Sequence, residues 1–228
     1  YNDTNLTNID GLANWDTSSV TSFHYAFGYT SNLVNIDGLA NWNTSSVTDM
    51  SRMFIGDGNI ASLDALADWD VSNLQTTASM FSMASKITNL DGLANWNPVS
   101  LTRVDNMFQN CFALIDIDGL ANWNTSNVTS MNSVFYSARA ITDIDALEDW
   151  DTSSVTDMTA MFRDAQSLTN IDGAINWNVS NVRYMTSMFQ EAKSLTNIDG
   201  AINWNVSKVE RTSSMFANTR DLSNIDGA

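Results

Sequence analysis

The most regular polar residue in this sequence is an aspartate that recurs every 27 residues and is present in all nine copies. In a stacked repeat these carboxylates would lie about 5 Å apart and repel by roughly 1 kcal/mol per adjacent pair in water. Two kinds of interaction would compensate for this repulsion. Either each carboxylate caps the turn that follows it, or Ca²⁺ binds between coils. The candidate calcium column comprises Asp37, Asp64, Asp91, Asp118, Asp145 and Asp172. Turn capping is preferred, because calcium-binding repeats use more densely acidic loops.

The rest of the sequence lacks the residues that most catalytic sites need. One histidine, His24, and one cysteine, Cys111, cannot build a His-rich metal site or an internal disulfide. No phosphate-binding loop, serine nucleophile elbow, zinc-protease motif or paired-cysteine motif occurs, and no repeat holds a pair of carboxylates that the others lack. The sequence therefore predicts a protein that is not an enzyme and has no cofactor, with Ca²⁺ as the alternative.

The elements that position these side chains follow from the period. Eight full units of 27 residues span 8–223, with partial units at 1–7 and 224–228 and no linker between them. Residues 1–228 therefore form one solenoid domain, and we expect this domain to belong to a longer array. The large apolar residues are mostly three apart, which fits neither a helix nor a simple strand. This spacing predicts coils of short parallel β-strands, tight turns and short helical or 3₁₀ turns.

Two aromatic columns are predicted to form the core. All eight tryptophans share one slot of the unit, and eight of the ten phenylalanines share another. Stacking coils would bury each ring against its neighbours and gain roughly 1.5–3 kcal/mol per side chain. The predicted core ladders are Trp42, Trp69, Trp96, Trp123, Trp150 and Trp177, and Phe54, Phe81, Phe108, Phe135, Phe162 and Phe189.

The composition limits the partners. A net charge of −16 argues against binding to nucleic acid or to anionic membranes, since both would repel the chain. The sequence has no apolar run of 18 residues, so this segment is not expected to insert into a membrane. The variable slots hold the candidate partner contacts, which are Tyr25, Arg52, Arg103, Arg139, Tyr184, Lys193, Arg211 and Arg220.

A threonine-rich segment offers a different function. Thr17, Ser19 and Thr21 could point outward around an inward Val20, as in a surface that orders water on ice or a mineral. The same arrangement recurs at Thr44, Ser46 and Thr48. Such a surface requires regularity, and the column is broken at several units. A solvated face with high β propensity is the simpler interpretation.

The recurring motif resembles that of the BspA-type leucine-rich-repeat surface proteins of bacteria, in the Met-Phe variant of mycoplasma and lactic-acid-bacterial surface lipoproteins. The motif spans 43–54 and recurs over 151–162, and 168–171 carries its closing Leu-x-x-Ile element. The likeness extends over all 228 residues, although the unit is somewhat long and tryptophan stands where phenylalanine is commoner. The resemblance implies an extracellular or cell-surface solenoid of the kind found in adhesins, without catalytic residues.

Three hypotheses for function follow. The first is an adhesion or binding scaffold at the cell surface, whose partner is an extracellular protein or glycan. The second is a surface fibre built by end-to-end stacking of copies, a contact that does not close. The third is the ice- or mineral-binding array.

Overall fold

The computed structural model describes residues 5–225 of the chain. Each 27-residue unit forms one coil of a solenoid, and coils 1 to 8 run from residues 8–34 to residues 197–223. Each coil carries one 3₁₀ helix. Helices η1 to η8 span Asp10–Leu12, Asp37–Leu39, Asp64–Leu66, Asp91–Leu93, Asp118–Leu120, Asp145–Leu147, Asp172–Ala174 and Asp199–Ala201. The predicted repeat solenoid is confirmed.

Successive coils are joined by isolated parallel β-bridges. One column of bridges runs through every coil and consists of Ser22, Asp49, Thr76, Arg103, Ser130, Asp157, Tyr184 and Arg211. Coils 1 and 2 share a second bridge, between Asn8 and Asn35. Within residues 5–225 no strand is longer than one bridge residue, so the predicted short strands are reduced to isolated bridge residues.

The backbone leaves the β conformation because two residues in each coil are left-handed. In coil 1 these are Tyr25 and Tyr29, both with φ of 61°. Their N–H groups donate to the carbonyls of Ser51 and Ile55 in the next coil at 3.0 and 2.6 Å. A left-handed non-glycine residue costs about 1–2 kcal/mol. Here that cost is offset by hydrogen bonds that join the coils.

The recurring glycine after the aspartate allows close approach of coils. A Cβ at Gly38 would lie 2.1 Å from the carbonyl oxygen of Ile9, while the φ of Gly38 is not in the left-handed region. The glycine is therefore needed for space rather than for turn geometry. Alanine occupies the slot at Ala65 and Ala146.

The column of phenylalanines forms one continuous stack in the core, and the tryptophans stack from Trp15 to Trp123 and again between Trp177 and Trp204. The rings of Phe54 and Phe81 lie 5.7 Å apart and are nearly parallel at 7°. Trp42 and Trp69 stack at 6.5 Å and 1°. These centroid spacings are those of offset-stacked rings. The side chains from Trp42 to Trp177 are buried in this column, whereas Trp15 is 61 % exposed.

Candidate binding surface on the bridge face

One surface on which the residues differ between coils lies along the column of bridges. We call it the bridge face, and it consists of the bridge column and the outward residues two positions later. These second residues are His24, Ser51, Ala78, Asp105, Asn132, Thr159, Thr186 and Ser213. The residue between the two columns is a core side chain such as Met50 or Met131. A fixed interior therefore holds a row of variable outward side chains in register.

Three shallow cavities connect along this face. The first, of about 400 Å³, extends from His24 to Asn106. The second, of about 330 Å³, shares Arg103, Asp105 and Asn106 with the first. The third, of about 360 Å³, shares Asp157 with the second and reaches Arg211 in coil 8. The bridge face is thus a polar groove that crosses the coils along the solenoid axis.

The centre of the groove is organised by a carboxylate. Asp105 has a side chain only 10 % exposed and pairs with Arg103, with an N–O distance of 2.9 Å. The hydroxyl of Ser130, in the next coil, donates to the same carboxylate. Asn132 donates to Asp157 at 3.4 Å. Polar side chains from adjacent coils therefore fix one another before any partner binds.

Guanidinium groups lie over aromatic rings on the variable surface. Arg211 lies over the ring of Tyr184 at 5.5 Å, and Arg163 lies over Tyr136 at 5.4 Å. Neither arginine has a carboxylate within 4.0 Å among residues 5–225. Stacking fixes the guanidinium plane while its N–H donors remain free at the edges. These groups are available to bind an acceptor.

The predicted partner contacts do not form a single cluster. Arg103, Tyr184 and Arg211 lie in the bridge column, and Tyr25 and Arg52 occupy the left-handed slot beside it. The remaining predicted contacts lie in a separate column, nine residues after the bridge residue of each coil. That column contains Arg139, Lys193 and Arg220 together with Phe112, over which Arg139 lies at 5.0 Å. Arg139 also pairs with Asp164 at 2.9 Å.

Charge is divided between two sides of the solenoid. The first eleven positions of the eight units, residues 8–18 in coil 1, carry sixteen acidic residues and no lysine or arginine. We call this part the acidic edge. The other sixteen positions, which include the bridge face, carry all ten basic residues and eight acidic ones. The strong negative charge of the protein therefore belongs to the acidic edge alone.

The preferred interpretation of the aspartate column was wrong. These aspartates begin the 3₁₀ helices, and no hydrogen bond described within residues 5–225 has one of their carboxylate oxygens as its acceptor. The cap comes from the residue two positions earlier: Asn35 accepts from the N–H of Asp37 at 2.6 Å, and Asn170 from that of Asp172 at 3.0 Å. The capping role of this earlier residue was not predicted, although Asn, Ser or Asp fills its slot in all eight coils.

The carboxylates of the column remain exposed and interact mainly with one another. Partial burial raises the pKa of Asp145, as do the charges of Asp143, Asp172, Glu148 and Asp118. Among residues 5–225, no three His, Cys, Asp or Glu side chains are placed to hold a metal ion. The structure therefore adds nothing in favour of the calcium column.

The expected outward orientation of two threonines was also wrong. Thr17 and Thr44 are buried, and their hydroxyls donate to the backbone carbonyls of Asn43 and Asp70 at 3.0 and 2.9 Å. The ice-binding row therefore loses one of its members in each of these coils. Val71 occupies the same slot and is also buried. This exchange of threonine and valine was the sequence signal for an inward position.

One buried carboxylate makes no hydrogen bond of ordinary geometry. Asp57 is fully buried, and neither of its carboxylate oxygens has a partner at hydrogen-bond geometry. Burial raises the pKa of Asp57 to about 7, although the nearby hydroxyl and N–H of Thr30 lower it in part. Cys111 occupies the same slot two coils later, where burial raises its pKa to about 12 and its Sγ donates to the carbonyl of Phe81. A buried neutral thiol of this kind is unreactive.

These features define a repeat solenoid of the leucine-rich-repeat kind with a variable outward face. The chain belongs to the family described as "Mycoplasma protein of unknown function, DUF285", which matches residues 1–118 and 102–226. This match confirms the family resemblance stated from the Met-Phe motif. No functionally curated protein matches the sequence. None of the helices in residues 5–225 has the length and hydrophobicity needed to cross a membrane.

Several solved structures show a weak similarity. Internalin C2 of Listeria monocytogenes is 12 % identical over 92 % of this chain and 77 % of its own, with a TM-score of 0.27. A leucine-rich cell surface protein of Faecalibacterium prausnitzii is 16 % identical over 99 % of this chain and 74 % of its own, with a TM-score of 0.33. A leucine-rich repeat protein of Bacteroides ovatus is 14 % identical over 86 % and 67 %, with a TM-score of 0.25. Because these scores are low, the fold assignment rests on the repeat geometry described above.

Proposed function

We propose that this protein is a non-catalytic scaffold for adhesion, displayed outside the cell, and that the bridge face is its binding surface. The observation that carries the proposal is the contrast between inside and outside in each coil. The core columns keep their residue types, while the bridge column changes from Ser22 to Asp49, Thr76 and Arg103 within four coils. Repeat arrays use such a surface for extended contact with a protein or glycan.

The electrostatics support the bridge face over the acidic edge. The charged groups of the acidic edge are all carboxylates, so this edge repels most extracellular polyanions and offers no hydrogen-bond donors from basic side chains. The bridge face combines guanidinium, carboxylate, hydroxyl and amide groups with the ring of Tyr184. Arginine and tyrosine are the side chains that most often dominate binding energy at interfaces.

A binding panel with matched variants tests the proposal. The purified chain is screened against extracellular-matrix proteins and glycans, together with the variant Tyr184→Ala/Arg211→Ala. The control is Asp172→Asn/Asp199→Asn on the acidic edge, which changes as many exposed side chains. We expect the bridge-face variant to lose at least tenfold in affinity for each ligand found, while the control binds as the unmodified chain does. The reverse pattern would place the binding surface on the acidic edge.

The fibre alternative stays a prediction. The outer side of coil 8 exposes an apolar cavity of about 360 Å³ lined by residues such as Trp204, Val209 and Phe216. In the other coils the following coil covers this side. A further coil of the same chain would fill the cavity as well as a second copy would, so the cavity does not favour fibre formation.

A further inference from the structure

The bridge column has a second period that the solenoid does not require. In coils 1 to 4 it reads Ser22, Asp49, Thr76 and Arg103. In coils 5 to 8 it reads Ser130, Asp157, Tyr184 and Arg211, which repeats the order hydroxyl, carboxylate, hydroxyl, guanidinium. The 27-residue unit fixes which residues face outward but sets no relation between coils four apart. The fold alone therefore does not account for the order of chemical groups in the column.

The second period makes the charges alternate along the axis. Asp49, Arg103, Asp157 and Arg211 are each two coils apart, so the column reads negative, positive, negative, positive. A hydroxyl-bearing residue separates each charge from the next. Such a row is complementary to its own reverse, because reading it from the other end gives positive, negative, positive, negative.

We propose that the bridge face binds the bridge face of a second copy of this chain in antiparallel orientation, with a two-fold axis at Ser130. Asp49 then faces Arg211 of the second copy, and Arg103 faces Asp157 of the second copy. Thr76 faces Tyr184 of the second copy. By symmetry each pairing occurs twice, which is the defining property of an isologous interface. The inference rests on the proposed function in that it takes the bridge face as the binding surface.

The neighbouring column is compatible with the same arrangement. The two-fold axis lies in the plane of the interface and runs perpendicular to the solenoid axis. It therefore places each column opposite the same column of the second copy, in reverse order. Asp105 then faces Thr159 of the second copy, and Ser51 faces Ser213 of the second copy. Asn132 faces its own counterpart. No like-charged pair is created in either column.

The distribution of charge permits this approach of two bridge faces. The part of each unit that includes the bridge face carries ten basic and eight acidic residues, so two such faces do not repel strongly. Two acidic edges would bring sixteen acidic residues from each chain together without a cation. A parallel, unshifted pairing of bridge faces would set Asp49 on Asp49 and Arg103 on Arg103, which like-charge repulsion disfavours.

The structure holds the charged groups ready for pairing. Arg103 is held by Asp105 at 2.9 Å while its side chain is 62 % exposed. Arg211 is held over Tyr184 at 5.5 Å and has no carboxylate within 4.0 Å among residues 5–225. Pre-ordered side chains lose less rotamer freedom when a partner binds.

A charge exchange between two single variants tests the pairing. Asp49→Arg alone puts two cations opposite each other at both copies of the contact, and Arg211→Asp alone puts two anions there. A mixture of the two variants restores opposite charges at both contacts. Each variant should self-associate at least tenfold more weakly than the unmodified chain by sedimentation velocity, and the equimolar mixture should regain dimers. Circular dichroism and thermal unfolding of each variant show that the coils remain folded.

The outcomes separate this inference from the proposed function. Dimers of the unmodified chain at about 0.05 M salt that weaken by about 0.5 M salt support it, because salt screens the exposed charges. A chain that stays monomeric at all concentrations overturns it, as do variants that dimerise like the unmodified chain, rods that grow without limit, or a mixture that remains monomeric. If the chain is monomeric but the Tyr184→Ala/Arg211→Ala variant still loses ligand binding, the self-association is wrong and the binding function stands.

Discussion

The indole Nε1 of Trp96 donates a hydrogen bond of 2.9 Å to the backbone carbonyl of Leu66, which ends the 3₁₀ helix of the preceding coil. The same bond, to the residue 30 positions earlier, is made by every tryptophan from Trp42 to Trp204. Each tryptophan therefore packs in the core and also satisfies the helix end below it. Phenylalanine could do only the first of these.

The indole bond predicts a difference between two substitutions at one site. Trp96→Phe keeps most of the stacked ring and loses one hydrogen bond, at a cost of about 1–2 kcal/mol in the free energy of unfolding. The cost is limited because the Leu66 carbonyl still accepts from the N–H of Trp69 at 3.2 Å. Trp96→Ala should cost about 3–5 kcal/mol, because it also leaves a cavity.

Denaturant titration checks both values, with Trp15→Phe as the matched control. Trp15 is 61 % exposed and should change the free energy of unfolding by less than about 0.5 kcal/mol. Equal losses for Trp15→Phe and Trp96→Phe would show that the indole bond adds nothing.

Asp57 predicts an unusual dependence of stability on pH. Its folded-state pKa of about 7 lies above its ordinary value of 3.8, so the folded chain retains a proton that the unfolded chain releases. The free energy of unfolding should therefore decrease as pH rises from about 4 to about 7 and stay low above that. The total change from this residue is on the order of a few kcal/mol.

The variant Asp57→Ala tests the cause, because alanine fills the same slot at Ala84, Ala138, Ala165 and Ala192. We expect the variant to be more stable than the unmodified chain at pH 8 and to lose this dependence on pH. Thermal unfolding at pH 5 and pH 8 measures both effects. An alanine variant that is less stable at pH 8 would mean that the carboxylate has a partner.

The capping hydrogen bonds of the 3₁₀ helices predict which polar residue in each turn stabilises the fold. Asn170→Ala removes the acceptor for the N–H of Asp172 and should cost about 1 kcal/mol. Asp145→Asn should slightly stabilise the chain at low salt, because partial burial and then the neighbouring carboxylates raise the pKa of Asp145. The part of that gain that comes from the neighbouring carboxylates should disappear near 1 M salt. Urea titrations at two salt concentrations compare the two variants, and a larger loss for Asp145→Asn would restore the capping role to the aspartate.

The buried threonines predict that the Thr44 slot tolerates valine. Thr44→Val keeps the shape and loses the bond to the Asp70 carbonyl, at about 0.5–1.5 kcal/mol. Thr44→Asp would bury a charge and should be much more costly. Thermal unfolding of the two variants distinguishes an inward from an outward slot, since an outward Thr44 would accept both changes with little effect.

The sequence predicted the solenoid and its aromatic core because these depend on side-chain periodicity, and eight copies average out local variation. It could not predict the left-handed residues, since serine fills that slot at Ser79, Ser133, Ser187 and Ser214 and has no strong preference for positive φ. Because the left-handed residues were not predicted, the sequence pattern could not distinguish single bridges from short strands.

The outer surface was harder to predict for a similar reason. The sequence identified variable slots, but only the bridges show which of them share a column. Arg103, Tyr184 and Arg211 lie together for this reason, whereas Arg139, Lys193 and Arg220 lie in another column. The partner of Asp105 across the coils, Ser130, is 25 residues away and follows from the register alone.

The most direct test of the central claim is to map which carboxylates a bound partner protects. Carbodiimide labelling read by mass spectrometry compares the free chain with the chain bound to its strongest ligand in the panel, or to itself. The proposed function predicts that labelling of Asp49 and Asp157 on the bridge face falls severalfold, while Asp172 and Asp199 on the acidic edge label as before. Protection of Asp172 and Asp199, with Asp49 and Asp157 unchanged, would contradict it.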